Sequence, residues 1–179
     1  WPTIGVVNLH GGKLPEYRGG SPINWQIING ESEGGVAVHF VDEGIDTGAI
    51  LASETFPIGE NETAGEIYDK TIKIFPDLMI RVIRELENGI HQVQKQKLSD
   101  GTYYCKRLPR DGRIDWSSMS ARQVHDLVRG LNGPSYPGAF TYLNNKKSNT
   151  SFTYIDKSNI DIMINKCVEI TKLLPSDSC

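Results

Sequence analysis

Apolar and polar positions change their spacing several times along the chain, and each change predicts an element. Ile4 to Leu9 is a short β-branched run with Val6 and Val7 adjacent, which predicts a strand buried on both faces of a parallel sheet. The breakers in PEYRGG, 15–20, predict a loop. Ser21 then offers an N-cap, Pro22 a first helical residue and Gly30 a stop. Trp25 and Ile28 are expected to face the sheet from that helix. Gly35 to Val41 alternates and reads as a strand with His39 packed inside it. A short turn leads to a second strand over 49–56, and so brief a connection makes the pair antiparallel. Thr63 and Glu66 have the spacing of a capping box. Ile67, Thr71, Ile74, Phe75, Leu78, Val82, Ile83 and Leu86 follow at helical spacing, with a kink expected at Pro76 and an end at Asn88-Gly89. His91 to Gln96 is polar and alternating, an expected edge strand. Leu98 to Gly112 reads as a solvated linker carrying Lys106, Arg107 and Arg110. A helix over 120–131 buries Val124, Leu127, Val128 and Leu131 and turns His125 outward. PSYPGAFTYL, 134–143, predicts a turn and a strand. Residues 151–170 alternate enough for further strands, and the tail from Pro175 is expected to be disordered.

Composition narrows the class. With 179 residues, 38% hydrophobic and 23% charged, the chain suits one globular domain or one with a small appendage. A net charge of −3 argues against a large nucleic-acid footprint. Cys105, Cys167 and Cys179 are scattered, with no C-x-x-C, so neither a disulfide framework nor a zinc site is predicted and a reducing compartment fits. No apolar run approaches the roughly 20 residues of a membrane span, and no signal peptide is visible.

The candidate chemistry lies between Val6 and Ile50. Asn8 and His10 leave the first strand, followed by Gly11 and Gly12, and Asp46 stands in the turn GIDTG. In open α/β sheets ligands bind at the carboxyl ends of strands. An Asn amide can donate to a developing oxyanion. An imidazole can move a proton near neutral pH, and an acid can hold that imidazole or take the proton from an amine. These are the parts of an acyl transfer to a nitrogen nucleophile. Taken singly, His10 reads as a structural histidine and Asp46 as a turn residue.

The ordered run NLHGGKLPEYRGGSPINWQIINGE followed by GVAVHFVDEGIDTGAIL resembles the folate-dependent formyltransferases. That family carries N-x-H-x-S-L-L-P-x-Y-R-G and a later D-x-G-x-D-T-G. Asn8, His10 and Asp46 fall on its catalytic triad. The resemblance implies formyl transfer from 10-formyltetrahydrofolate to an amine, with no metal. It gives Asn8 the oxyanion, His10 the proton, and Asp46 the support of His10. Val41, Asp42, Glu43, Gly44, Ile45 and Asp46 fall on the loop that receives the pterin, chiefly through backbone. Tyr17 and Arg18 are expected to reach an anionic acceptor. IDW, SARQVHDLVRGLN and YPGAFTYL resemble the opening of the family's C-terminal region.

The resemblance implies an α/β fold: the C-terminal half of a Rossmann-like formyltransferase sheet plus a small α+β region. The expected organisation is a catalytic part over 1–98, a linker over 99–112 and a small region over 113–179. The chain lacks an initiator Met and enters the candidate strand within a few residues of Trp1, so a piece lacking the family's N-terminal half is expected. Among acceptors, H-G-x-x-L-P, the Asn24-Trp25 pair and a short C-terminal region point to a nucleotide-linked amino sugar. Methionyl-tRNA is the alternative, and a folate- or nucleotide-binding module without turnover the second. Gly12 and Lys13 depart from the family's Ser-Leu. A cytoplasmic enzyme and a homodimer through the C-terminal region complete these expectations.

Overall fold

In the computed structural model, which describes residues 2–89, 92–133, 137–143 and 146–150, the first β-branched run forms strand β1 over Val7–His10. A loop carrying the two-residue strand β2 (Arg18–Gly19) leads to helix α1 (Pro22–Ile28). Strands β3 (Glu33–Phe40) and β4 (Ile50–Pro57) follow, giving a sheet of order β1-β3-β4. The β3–β4 pair is antiparallel, as its short connection requires.

The direction of β1 is a correction. It runs antiparallel to β3, with Asn8 opposite His39 and His10 opposite Ala37. Nor is the run buried on both faces: Ile4 and Val6 are 56% and 50% exposed. A β-branched run favours a pleated strand but says nothing about the direction of its partner. Alternation survives, because Asn8 and His10, two apart, share one face while Leu9 faces the other way.

Helix α1 begins at Pro22 as expected, but Ser21 adopts a left-handed backbone and makes no side-chain cap. The helix buries Asn24, Gln26 and Ile27. Trp25 does not face the sheet. Its indole Nε1 donates to Cys105 O at 3.0 Å, and the Arg107 guanidinium lies 4.6 Å above its ring. The segment expected to be a solvated linker is therefore docked. It contains a 3-10 turn at Leu98–Asp100, then strand β5 (Tyr103–Tyr104) paired parallel to β2, then a second turn at Pro109–Gly112. Ahead of it, Gln94 makes only an isolated bridge to Ile50; part of the expected edge strand lies outside the described residues.

Helix α2 (Ala64–Glu87) precedes that segment and lies on the sheet. Its start was local information: Glu66 N–H donates to Thr63 Oγ1 at 3.4 Å, and Glu66 Oε2 accepts from Thr63 N–H at 2.8 Å. The helix continues through Pro76. Ile67, Leu78 and Val82 join Ile27, Val36, Val38, Phe56 and Ile58 in the main core. Ile83, expected on the same face, is 44% exposed. The Thr63→Ala variant should lose about 1 kcal/mol of stability, read as a lower urea midpoint at unchanged m-value. A loss well under about 0.5 kcal/mol would mean the box is idle.

Helix α3 (Ala121–Gly130) is capped by Ser120, whose Oγ accepts from Gln123 N–H at 3.3 Å. With Ile114, Leu131 and Ala139 it builds a second core, and strands β6 (Ala139–Leu143) and β7 (Lys146–Thr150) form an antiparallel hairpin beside it. His125, expected outside, is only 3% exposed, with Nε2 3.1 Å from Glu60 O. A buried ion pair, Arg129 Nε to Asp126 Oδ1 at 2.6 Å, ties α3 to the turn before α2, since Arg129 Nη1 also donates to Gly59 O and Glu62 O at 3.1 Å each. Asn24 Nδ2 donates to Gly130 O at 2.6 Å and joins α1 to the end of α3. The fold is mixed α/β, as expected. The strands expected over 151–170 and the tail from Pro175 lie outside the described residues. Among the described residues no helix is long and apolar enough to cross a membrane.

Candidate functional site

Strand pairing brings three of the candidate residues together. Asn8 and His10 project from one face of β1, and the turn after β3 carries Asp46 back beside them. His10 Nδ1 lies 3.5 Å from Asp46 Oδ2. A residue not marked as functional completes the group: His39 Nε2 is 3.4 Å from Asp46 Oδ1 and 3.2 Å from Asn8 Nδ2.

Backbone carbonyls set the proton positions. His10 Nε2 is 2.6 Å from Tyr17 O, and a carbonyl only accepts, so Nε2 carries the hydrogen. His39 Nδ1 is 2.8 Å from Phe40 O, so there Nδ1 carries it. In the neutral rings, His10 Nδ1 and His39 Nε2 therefore both present lone pairs towards the Asp46 carboxylate. Asn8 Nδ2 donates one of its two N–H bonds to His39 and keeps the other. Burial pushes the His10 pKa below its ordinary value; the Tyr17 carbonyl and Asp46 oppose that push, and His39 adds to it. His10 is only 5% exposed. A Cβ at Gly12 would stand 2.9 Å from both His10 Nε2 and Tyr17 O, so glycine leaves room for the bond between them.

Asp46 adopts a left-handed backbone, φ 52°, which Asp tolerates better than most residues. Three hydrogen bonds hold its turn, two of them to Asp46 itself. Gly19 N–H donates to Oδ2 at 2.8 Å, and Gln96 Nε2 donates to the Asp46 and Gly48 carbonyls at 2.9 and 2.7 Å. In the loop 41–46, Asp42 Oδ1 accepts from Thr47 Oγ1 at 2.6 Å and from Gly44 N–H at 3.1 Å. The Thr47 hydroxyl, helped by the Gly44 N–H, holds the Asp42 carboxyl below the usual carboxylate range against an opposing burial effect. Val41 and Ile45 expose 52% and 65% of their surface on this loop, and Glu43 is exposed.

Tyr17 and Arg18 are both engaged within the protein. The Tyr17 hydroxyl donates to Glu31 Oε1 at 2.6 Å and accepts from Asn29 Nδ2 at 3.2 Å, while its ring stacks on Tyr104 at 5.0 Å. Burial, then Glu31, pushes its pKa upward. Arg18 is fully buried; it donates to Gln96 Oε1 at 3.0 Å and to the Lys97 and Leu98 carbonyls at 3.2 and 3.4 Å. Its reach to the site is indirect, through Gln96 to the Asp46 backbone.

Two family models match the chain: "Formyl transferase" over residues 1–83 and "Formyl transferase, C-terminal domain" over residues 108–163. The chain belongs to the folate-dependent formyltransferase family. The methionyl-tRNA formyltransferase of Azobacteroides pseudotrichonymphae is 40% identical over 147 residues, which is 79% of this chain and 44% of that protein. Among solved structures, the methionyl-tRNA formyltransferase from Clostridium thermocellum matches with a TM-score of 0.70 at 30% identity, over 84% of this chain and 63% of the other. An N-formyltransferase from Helicobacter canadensis, solved with folinic acid and dTDP-3-aminofucose, matches with a TM-score of 0.65 at 27% identity, over 78% of this chain and 51% of the other. The chain spans about half the length of the curated relatives it matches.

Within this formyltransferase frame, His39 and Gln96 are the residues that sequence reasoning passed over. A signal existed for His39, a polar residue inside the apolar alternation VAVHFV. Gln96 had none: its immediate neighbours, 94–97, are all polar, and only the chain path brings it to the Asp46 turn.

Proposed function

We propose that the group around His10 and Asp46 transfers a formyl group from 10-formyltetrahydrofolate to the amine of a nucleotide-linked amino sugar. The observation that carries the reading is the convergence of Asn8, His10 and Asp46 on one face of the sheet. The amine nitrogen attacks the formyl carbon, and the free N–H of Asn8 meets the oxyanion that forms. The amine loses one proton and N10 of the leaving tetrahydrofolate gains one. His10 Nδ1, a lone pair beside a carboxylate, is placed to carry that proton. Asp46 stabilises the imidazolium in passing. The exposed apolar pair Val41 and Ile45 gives the loop 41–46 a surface suited to a flat ring.

The sugar as acceptor is supported by the likeness to the Helicobacter canadensis enzyme and to a sugar 3N-formyltransferase at 28% identity, and by the net charge of −3. A second reading, methionyl-tRNA as acceptor, is favoured by the named relatives at about 40% identity. Incubating the full-length protein with 10-formyltetrahydrofolate and each acceptor separately, followed by mass spectrometry, decides between them. A formylated amino sugar with unmodified methionyl-tRNA is the expected result. Formylated methionyl-tRNA alone would overturn the acceptor and leave the chemistry. Bound folate with no product from either would favour a binding module.

A further inference from the structure

We propose that His10, His39 and Asp46 form a binding site for a divalent transition-metal ion of the zinc type. One ligand atom from each residue lies within 4.8 Å of the other two. Zinc bonds to nitrogen and oxygen run about 2.0–2.1 Å, which sets tetrahedral ligands about 3.4 Å apart. His10 Nδ1 lies 3.5 Å from Asp46 Oδ2 and His39 Nε2 3.4 Å from Asp46 Oδ1, so each ring faces its own oxygen of a carboxylate that can hold the ion through both. The ring nitrogens lie within 4.8 Å of each other, and a swing of the two rings closes that edge.

A second observation points the same way. A metal-bound histidine characteristically donates its other ring N–H to a carbonyl or carboxylate, which fixes the tautomer. Both rings here have that outer partner already, His10 through Tyr17 O and His39 through Phe40 O. Both free lone pairs then converge on one carboxylate. That concentration of electron density in a buried place is relieved by a cation. Asn8 Nδ2, now donating to His39 Nε2, gives way to the ion. Two imidazole nitrogens with one carboxylate suit zinc and its neighbours in the first transition row rather than magnesium or calcium. The sequence could not show the set, because strand pairing and not ligand spacing assembles it.

Binding of the ion stands independently of the formyl-transfer reading. Its consequence rests on that reading: an ion on His10 Nδ1 occupies the atom that carries the proton, so the loaded protein is inhibited and a chelator restores it.

The test uses Co²⁺ and Zn²⁺ with the full-length protein. Co²⁺ is read by visible absorption, where a tetrahedral nitrogen–oxygen site gives intense bands, and Zn²⁺ by competition with a chromogenic chelator. One ion per chain is expected. Asp46→Asn and His39→Gln, each checked for folding by circular dichroism, should weaken binding by about 100-fold or more, given that even changes to outer-shell partners cost about 10–100-fold. A variant with Cys105, Cys167 and Cys179 all changed to Ser should bind as the wild type does. No binding at micromolar metal, unchanged affinity in both folded site variants, or loss in the cysteine variant would each overturn the site. None of these readouts involves turnover, so failure here and failure of formyl transfer are distinguishable.

Discussion

The His10→Asn variant is expected to lose about 10²–10⁴-fold in kcat/KM for formyl transfer, the range of a positioned proton carrier, while its affinity for folate stays near that of the wild type. His10 Nδ1 faces Asp46 at 3.5 Å, its other nitrogen is committed to Tyr17 O, and burial holds its pKa below the ordinary value. An asparagine amide keeps a polar atom near the position of Nδ1 facing Asp46, but it cannot take up a proton. The loss should therefore fall on the chemical step. Asp46→Asn should show a parallel loss, because it removes the charge that stabilises the imidazolium and keeps the Gln96 bonds to the backbone. Steady-state kinetics with folate binding by fluorescence separates the effects. Full activity in His10→Asn would remove that residue from the chemistry. Equal losses of activity and folate affinity would make it a structural residue.

The second large effect is on stability. Arg129→Met should destabilise the protein by about 3–5 kcal/mol, the cost of leaving a buried charge without its partner. Both side chains of the Arg129–Asp126 pair are 4% exposed. Arg122, the other partner of Asp126, is 47% exposed and screened by solvent, so it replaces little of what is lost. The change also strips the Gly59 and Glu62 carbonyls of a donor. The double variant Asp126→Leu/Arg129→Met should recover much of the loss, because it removes the orphaned charge along with its partner. Urea unfolding of the wild type, Asp126→Leu, Arg129→Met and the double variant gives the coupling. A change below about 1 kcal/mol in Arg129→Met would show the pair to be solvated.

Which features could be read from sequence follows from how local their causes are. The capping boxes of Thr63 with Glu66 and Ser120 with Gln123 need only their own turn, and the sequence displays the first outright. The β3–β4 pairing follows from a short connection. Asn8 and His10 share a face because two residues apart on any strand do. The direction of β1, the inward His125 and the outward Trp25 depend on what lies opposite, and no spacing within one segment reports that. Tyr17 and Arg18 illustrate the same limit. An Arg in a glycine-rich loop looks like an anion ligand, yet Gln96, 78 residues later, and the carbonyls beside it engage this one. His39 joins the site only because β1 pairs antiparallel with it, Asn8 opposite His39.

The most direct test of the central claim is a single-turnover experiment with 10-formyltetrahydrofolate carrying a labelled formyl carbon. The full-length protein, in excess over the labelled donor, is mixed with an amino-sugar nucleotide and quenched in time. The product is examined for label on the acceptor nitrogen, with His10→Asn run in parallel. Label on the acceptor at the rate of tetrahydrofolate release, and its near absence in the variant, is the predicted result. Label released as free formate in both proteins, with none on any amine, would contradict formyl transfer at this site.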